Sequence, residues 1–152
     1  MSWSDQLNSL GIQLPQVAAP VAAYVPAVRS GHYVYTSGQV PLVEGTLAAT
    51  GKVGAEIGPE EAKQHARTCA LNALAAVDAA VGIDSVVRVV KVVGFVASAP
   101  SFTGQPAVIN GASELLGEIF GEAGQHARSA VGVAELPLGA PVEVEMIVEV
   151  GE

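Results

Sequence analysis

Charge is scarce in this chain. Only 14% of its 152 residues are Asp, Glu, Lys or Arg, where about a quarter is usual. Cations are scarcer still: seven Lys and Arg against fifteen Asp and Glu leave a net charge of −8. The sequence has no basic cluster, which argues against nucleic acid as the main partner, because phosphate binding needs a patch of Lys and Arg. Cys69 is the only cysteine, so no intrachain disulfide can form, which fits a reducing compartment. His32, His65 and His126 lie in different segments, and with one thiol they offer no metal-ligand spacing. No apolar run is long enough to span a membrane. The most apolar segment, residues 86–96, is short and carries Arg88 and Lys91. Met1–Leu10 has neither a basic region nor an apolar run of signal-peptide type. The expectation is a soluble, cytoplasmic protein without a metal. There is no Gly-x-Ser-x-Gly elbow, no Walker loop and no Gly-x-Gly-x-x-Gly.

Apolar residues make up half the chain. That length suits one domain over residues 1–152 with a real core. So few charges cover a monomer's surface poorly, which predicts that part of it is buried against other subunits.

The pattern predicts a short helix over residues 4–10, ended by Gly11, then a non-helical segment marked by Pro15 and Pro20. Residues 24–28 and 33–36 read as strands about a Ser30-Gly31 turn. Residues 41–58 read as a loop. Gly58-Pro59-Glu60-Glu61 starts a helix, in which Ala62, Ala66, Cys69, Ala73 and Val77 recur at helical spacing. Gly82 ends it. Residues 85–97, with Val on both strand faces, read as a strand buried on both sides. Pro106 opens a second helix carrying Ile109, Ala112, Leu116 and Phe120. Asn110-Gly111 normally signals a hairpin, but its flanks follow a period of 3.6, so it reads as helical. Residues 129–134 and 142–150 are the last strands. The order β-β-α-β-α-β-β predicts two helices on one mostly antiparallel sheet, an α+β fold.

Arg128 stands at the start of an apolar strand. A guanidinium there needs an anionic partner. A structural carboxylate is one candidate; the carboxylate of a small substrate, held by two parallel hydrogen bonds, is the other. Glu143, Glu145 and Glu149 share one strand face, which reads either as solvated or as aiming one carboxylate into a cleft. Alone, Ser37 reads as turn chemistry and Tyr24 as a half-buried strand aromatic. Asn110 is a poor helix former, which raises the interest of its amide. Cys69 reads as an inert core thiol.

Taken together, these blocks carry a resemblance. Tyr24-Val25, Tyr35-Thr36-Ser37-Gly38-Gln39-Val40-Pro41, Asn72, Val90-Lys91-Val92, Phe102 ahead of Asn110, Ala127-Arg128-Ser129, Leu136-Pro137 and Val142-Glu143-Val144-Glu145 occur in the order seen in the Rid (YjgF-like) family. The chain resembles that family over about residues 20–150. The resemblance implies a chorismate-mutase-like fold and a homotrimer, with three sheets facing inward as a barrel and a cleft at each subunit interface. It implies hydrolysis of reactive 2-imino acids or their enamines to a 2-keto acid and ammonia, with no cofactor. By position, Arg128 resembles the residue that holds the substrate carboxylate, and Glu143 the acid that positions or activates water. Tyr24, Ser37 and Asn110 match pocket-lining positions, and Gly38 falls where backbone can approach the ligand.

The chain departs from the family where His126 replaces a common proline and Ala130 a frequent cysteine. It also has an N-terminal extension over residues 1–20 and a long 41–58 loop. These changes resemble a distinct subgroup. His126 either lines the pocket or fills the space left by proline. A non-catalytic module binding a small carboxylate-bearing metabolite is the alternative to a deaminase. A ribonuclease, claimed for some relatives, is disfavoured by the net charge.

Overall fold

The structure is a computed structural model that describes residues 1–17 and 23–151; the Pro20 end of the expected crossing segment lies outside them. Helix α1 spans Trp3–Ser9, followed by strands β1 (Ala27–Ser30) and β2 (Tyr33–Thr36). Short strands β3 (Leu42–Val43) and β4 (Thr46–Leu47) precede helix α2 (Pro59–Val81) and strand β5 (Val86–Ala97). Helix α3 (Gln105–Phe120) and strands β6 (Ala127–Val133) and β7 (Val142–Val150) complete the chain. Five strands form one sheet in the order β1-β2-β7-β5-β6. Its pairs are antiparallel except β5 with β6. That parallel pair follows from α3, which carries the chain across the sheet between them.

Helices α2 and α3 cover one face. Ala62, Ala66, Cys69, Ala73 and Val77 of α2 are buried, as are Ile109, Ala112, Leu116 and Phe120 of α3. Both helical stripes therefore face the core as their spacing predicts. Asn110-Gly111 is helical, and the glycine has a packing reason. A Cβ at Gly111 would lie 2.0 Å from the Lys63 carbonyl oxygen, so the absence of a side chain lets α3 lie against the α2 backbone. Gly82 ends α2 at φ 81°, a left-handed conformation that suits glycine.

Several expectations change. Strand β1 begins at Ala27, so Tyr24, expected within a strand over 24–28, precedes it. The 41–58 segment is not simply a loop. It holds the β3–β4 hairpin, and buried Asn72 of α2 donates from Nδ2 to the carbonyls of Val40 (3.1 Å) and Leu42 (3.0 Å). Within one chain, β5 is buried on one face only. Its register against β7 shifts between Val86 and Arg88 and again between Val89 and Lys91. Each bulge turns two successive residues outward. Val86, Val89, Val92 and Val96 are buried, whereas Val87 is exposed and Val90 and Val93 are half-buried. Strand β7 alternates cleanly: the even residues 142–150 are buried, and Glu143, Glu145, Ile147 and Glu149 face the open side.

Helix α1 starts with a capping box between Ser2 and Asp5. Trp3 then ties it to the body of the protein. Its indole N–H donates to the Val86 carbonyl (2.7 Å), and its ring meets Phe120 edge-on at 5.0 Å. No helix among the described residues is long and apolar enough to cross a membrane.

Candidate functional site

Glu143 and Gly38 meet at the junction of β2 and β7. The ladder between those strands runs to Tyr35 opposite Ile147. It resumes where Gln39 and Val144 exchange backbone hydrogen bonds of 2.8 and 3.0 Å. Residues 36–38 thus face only residues 145–146, so one extra residue must bulge. Thr36 holds the bulge by accepting the Met146 N–H at Oγ1 (3.1 Å). Gly38 passes so close to Glu143 that an added Cβ would lie 2.6 Å from Oε2. Ser37 donates its hydroxyl to the Val25 carbonyl (2.6 Å) and its N–H to the Pro26 carbonyl (2.8 Å). Those bonds tie down the segment that begins at half-exposed Tyr24.

The Glu143 carboxyl is half-buried, and its pKa is raised above the ordinary value, first by burial and then by the charge of Glu145. Cys69 lies behind it in the core. Its thiol pKa is raised well above the usual range by burial first and the Glu143 charge second. It therefore stays a protonated, inert thiol.

Arg128 belongs to a second group. Strand β6 begins at Ala127, two residues before the expected start, so Arg128 lies within the edge strand. It pairs with buried Val92, which puts its side chain on the helix-covered face. There Nη1 donates to Asn110 Oδ1 (2.8 Å) and Ser113 Oγ (3.2 Å) of α3. His126 stands two residues earlier, with Nε2 2.9 Å from Ser113 Oγ and Nδ1 2.6 Å from the Gly124 carbonyl oxygen. The ion pairs among the described residues, Lys52–Glu135, Lys63–Glu114 and His65–Glu61, leave Arg128 without a carboxylate. Its neutral hydrogen-bond partners take both hydrogens of Nη1 and bring no negative charge to the half-buried guanidinium.

A cleft of about 380 Å³ opens beside this group, lined by Ser113, Gly117, Gly124, Gln125, His126 and Arg128. A larger one, about 480 Å³, includes Tyr33, Arg88, His126 and Glu149. Neither contains Glu143. Among the described residues no three His, Cys, Asp or Glu side chains gather as a metal site.

The structure thus brings Arg128, Asn110 and His126 together, and separately brings Ser37, Gly38 and Glu143 together near Tyr24. Within one chain it does not join the two groups. Ser113 is the member that sequence reasoning passed over. Its only signal was its place one helical turn beyond Asn110.

Comparison with known proteins shows the family. Residues 15–150 match the family described as endoribonuclease L-PSP. The chain is 50% identical over 145 residues to protein TCP17 of Trypanosoma cruzi, covering 94% of this chain and 91% of that one. It is 35% identical over 138 residues to a 2-iminobutanoate/2-iminopropanoate deaminase of Dermatophagoides farinae, covering 90% and 93%. The crystal structure of Atu1372, a protein of unknown function from Agrobacterium tumefaciens, superposes with a TM-score of 0.90 at 45% identity, covering 98% of this chain and 92% of that one. With its sequence blocks, two-helix α+β layer and these matches in agreement, the chain belongs to the endoribonuclease L-PSP family, the YjgF-like or Rid family.

Proposed function

We propose that this protein hydrolyses 2-imino acids, or their enamine tautomers, to 2-keto acids and ammonia in a cleft completed by a second copy of the chain. The observation that carries this reading is the state of Arg128: anchored on neutral side chains, with no carboxylate partner among the described residues. A substrate carboxylate supplies the missing anion.

The reaction asks little else of the protein. An imine carbon is already electrophilic, so catalysis needs orientation, a placed water and proton transfer. Glu143 takes a proton from water as its oxygen bonds to C2, and the imine nitrogen takes a proton from solvent. The carbinolamine then collapses: the C–N bond breaks, ammonia leaves with the proton that Glu143 returns, and the hydroxyl releases its own to solvent to give the ketone. A carboxyl with a raised pKa suits both directions of that transfer. Gly38 leaves room for the carboxylate, while Tyr24, Ser37 and Asn110 line the cleft. No metal or organic cofactor takes part.

Distance supports the second copy. Strand spacing and rise put the Arg128 and Glu143 backbones about 14 Å apart, on opposite sheet faces. One small imino acid cannot touch both in a single chain. The open sheet face carries Val28, Tyr33, Tyr35, Val87 and Val131 exposed, an apolar surface suited to burial between subunits. A closed homotrimer meets both needs, and it is the assembly that the family resemblance implies.

A non-catalytic carboxylate-binding module is the second reading. The anchoring of Arg128 by α3 alone favours it, because that half could bind an anion without Glu143. Ribonuclease action fits poorly. Lys52 and Lys63 are already paired with glutamates, and Glu143, Glu145 and Glu149 make the open face of β7 acidic, which repels phosphate.

The deciding experiment generates 2-imino acids of several side-chain sizes with an amino-acid oxidase and follows their loss. The expected result is acceleration by wild type, abolished by Arg128→Ala. No acceleration by well-folded wild type would transfer the assignment to the binding module.

A further inference from the structure

We propose that Ser113 and His126 are positioning residues that hold the Arg128 guanidinium in one orientation, with its Nε–Nη2 edge turned to a carboxylate. The inference rests on the functional reading above only for what that edge binds.

The direction of the hydrogen-bond chain follows from one atom. A carbonyl oxygen can only accept, so His126 Nδ1, 2.6 Å from the Gly124 carbonyl, carries a hydrogen. In the neutral ring Nε2 is then an acceptor, and the Ser113 hydroxyl donates a hydrogen bond to it across 2.9 Å. With its proton committed, Ser113 Oγ presents lone pairs to Arg128 Nη1, 3.2 Å away. Asn110 Oδ1 accepts the other Nη1 proton at 2.8 Å. Nη1 has two hydrogens, and both are used. The protons left are one on Nε and two on Nη2, the pair of nitrogens that grips a carboxylate with two parallel bonds.

Both ends of the chain are pinned to α3. Ser113 and Asn110 are one helical turn apart on that helix. Gly124 packs so closely that a Cβ there would lie 2.3 Å from the Leu116 carbonyl oxygen. The acceptor for His126 is therefore as fixed as the helix itself. Without Ser113, or without the ring that orients its hydroxyl, the guanidinium keeps only Asn110 and can swing about that one bond. Of the two readings of His126, space filler or functional side chain, this geometry favours the second, acting through Ser113.

The test combines binding with nitrogen NMR on the full chain. Binding of 2-oxobutanoate is measured for wild type, Ser113→Ala, His126→Gln and the double variant. Alanine suits a helix interior, so Ser113→Ala keeps the fold. Each single variant is expected to bind about fivefold to tenfold more weakly, and the double variant no more weakly than either, because they break one chain. Independent losses that multiply in the double variant would overturn the proposal. In parallel, wild-type NMR should show His126 protonated at Nδ1 and slow rotation about the Arg128 Cζ–Nη1 bond. That rotation should quicken in Ser113→Ala; an unchanged rotation would also overturn the proposal. If wild type binds no 2-oxobutanoate, the functional reading fails, and the guanidinium rotation alone still decides the positioning role.

Discussion

Arg128 and Glu143 project from opposite faces of one sheet. Arg128 pairs with buried Val92 and reaches α3 on the helix-covered side. Glu143 lies between buried Val142 and Val144 and points to the open side. Strand β5 separates their strands.

If a site takes its arginine from one chain and its glutamate from the next, inactive variants must complement each other. Arg128→Ala and Glu143→Gln homo-oligomers should each be inactive. Unfolded together at equal amounts and refolded, they should recover about a quarter of wild-type activity, the share of interfaces in a closed ring that hold both intact residues. Refolding of the mixture with no recovered activity would show that the site is not shared in this way.

Glu143 makes a pH prediction. Burial and Glu145 raise its pKa in the folded protein, so the folded chain binds more protons than the unfolded one in the window between the ordinary value and the raised one. Stability therefore falls as pH rises through that window, and the cost persists above it. Glu143→Gln should raise the melting temperature at neutral pH. That advantage should vanish below the ordinary glutamate pKa of about 4.3. An equal gain at both pH values would remove the titration from the explanation.

Gly38→Ala tests the close approach to the carboxylate. The new Cβ would sit 2.6 Å from Glu143 Oε2 and 2.8 Å from Cδ. The displaced atoms are the far end of a flexible side chain, so folding should change by less than about 1 kcal/mol. If Glu143 positions the attacking water as proposed, imine hydrolysis should fall about a hundredfold. Denaturant melts and rates on the same preparation separate the two effects; full activity would mean that the carboxylate's position is not critical.

Gly111→Ala should do the reverse and act on stability. Its Cβ would meet the Lys63 carbonyl oxygen at 2.0 Å, and neither backbone can yield without separating α2 from α3. Helix propensity favours alanine by about 1 kcal/mol, yet the clash should win and destabilise the fold by about 3 kcal/mol. Urea denaturation checks the sign, and a stabilised variant would refute the packing argument.

Much of the fold was legible because local rules wrote it. Pro59 after Gly58 opened α2, and Gly82 closed it. The alternation of Val and Glu in β7 named its buried face. The bulges in β5 were not legible: Val occupies both sides of that strand, so periodicity cannot show where two residues turn outward together. Asn72 gave no sign that its amide would bind the carbonyls of Val40 and Leu42, because that contact depends on where α2 lies against the preceding loop.

Sequence alone raised the expectation of an anion for Arg128, since an apolar strand solvates a guanidinium poorly. It also determined that Asn110-Gly111 stays helical, since the 3.6 period outweighs a turn-forming pair. Only tertiary structure decided that the described carboxylates leave Arg128 unmatched, that Ser113 and His126 orient it, and that Glu143 lies across the sheet from it. The reason is physical. Charge and periodicity belong to a residue and its near neighbours, whereas the face and register a side chain takes are set by strands paired from distant parts of the chain.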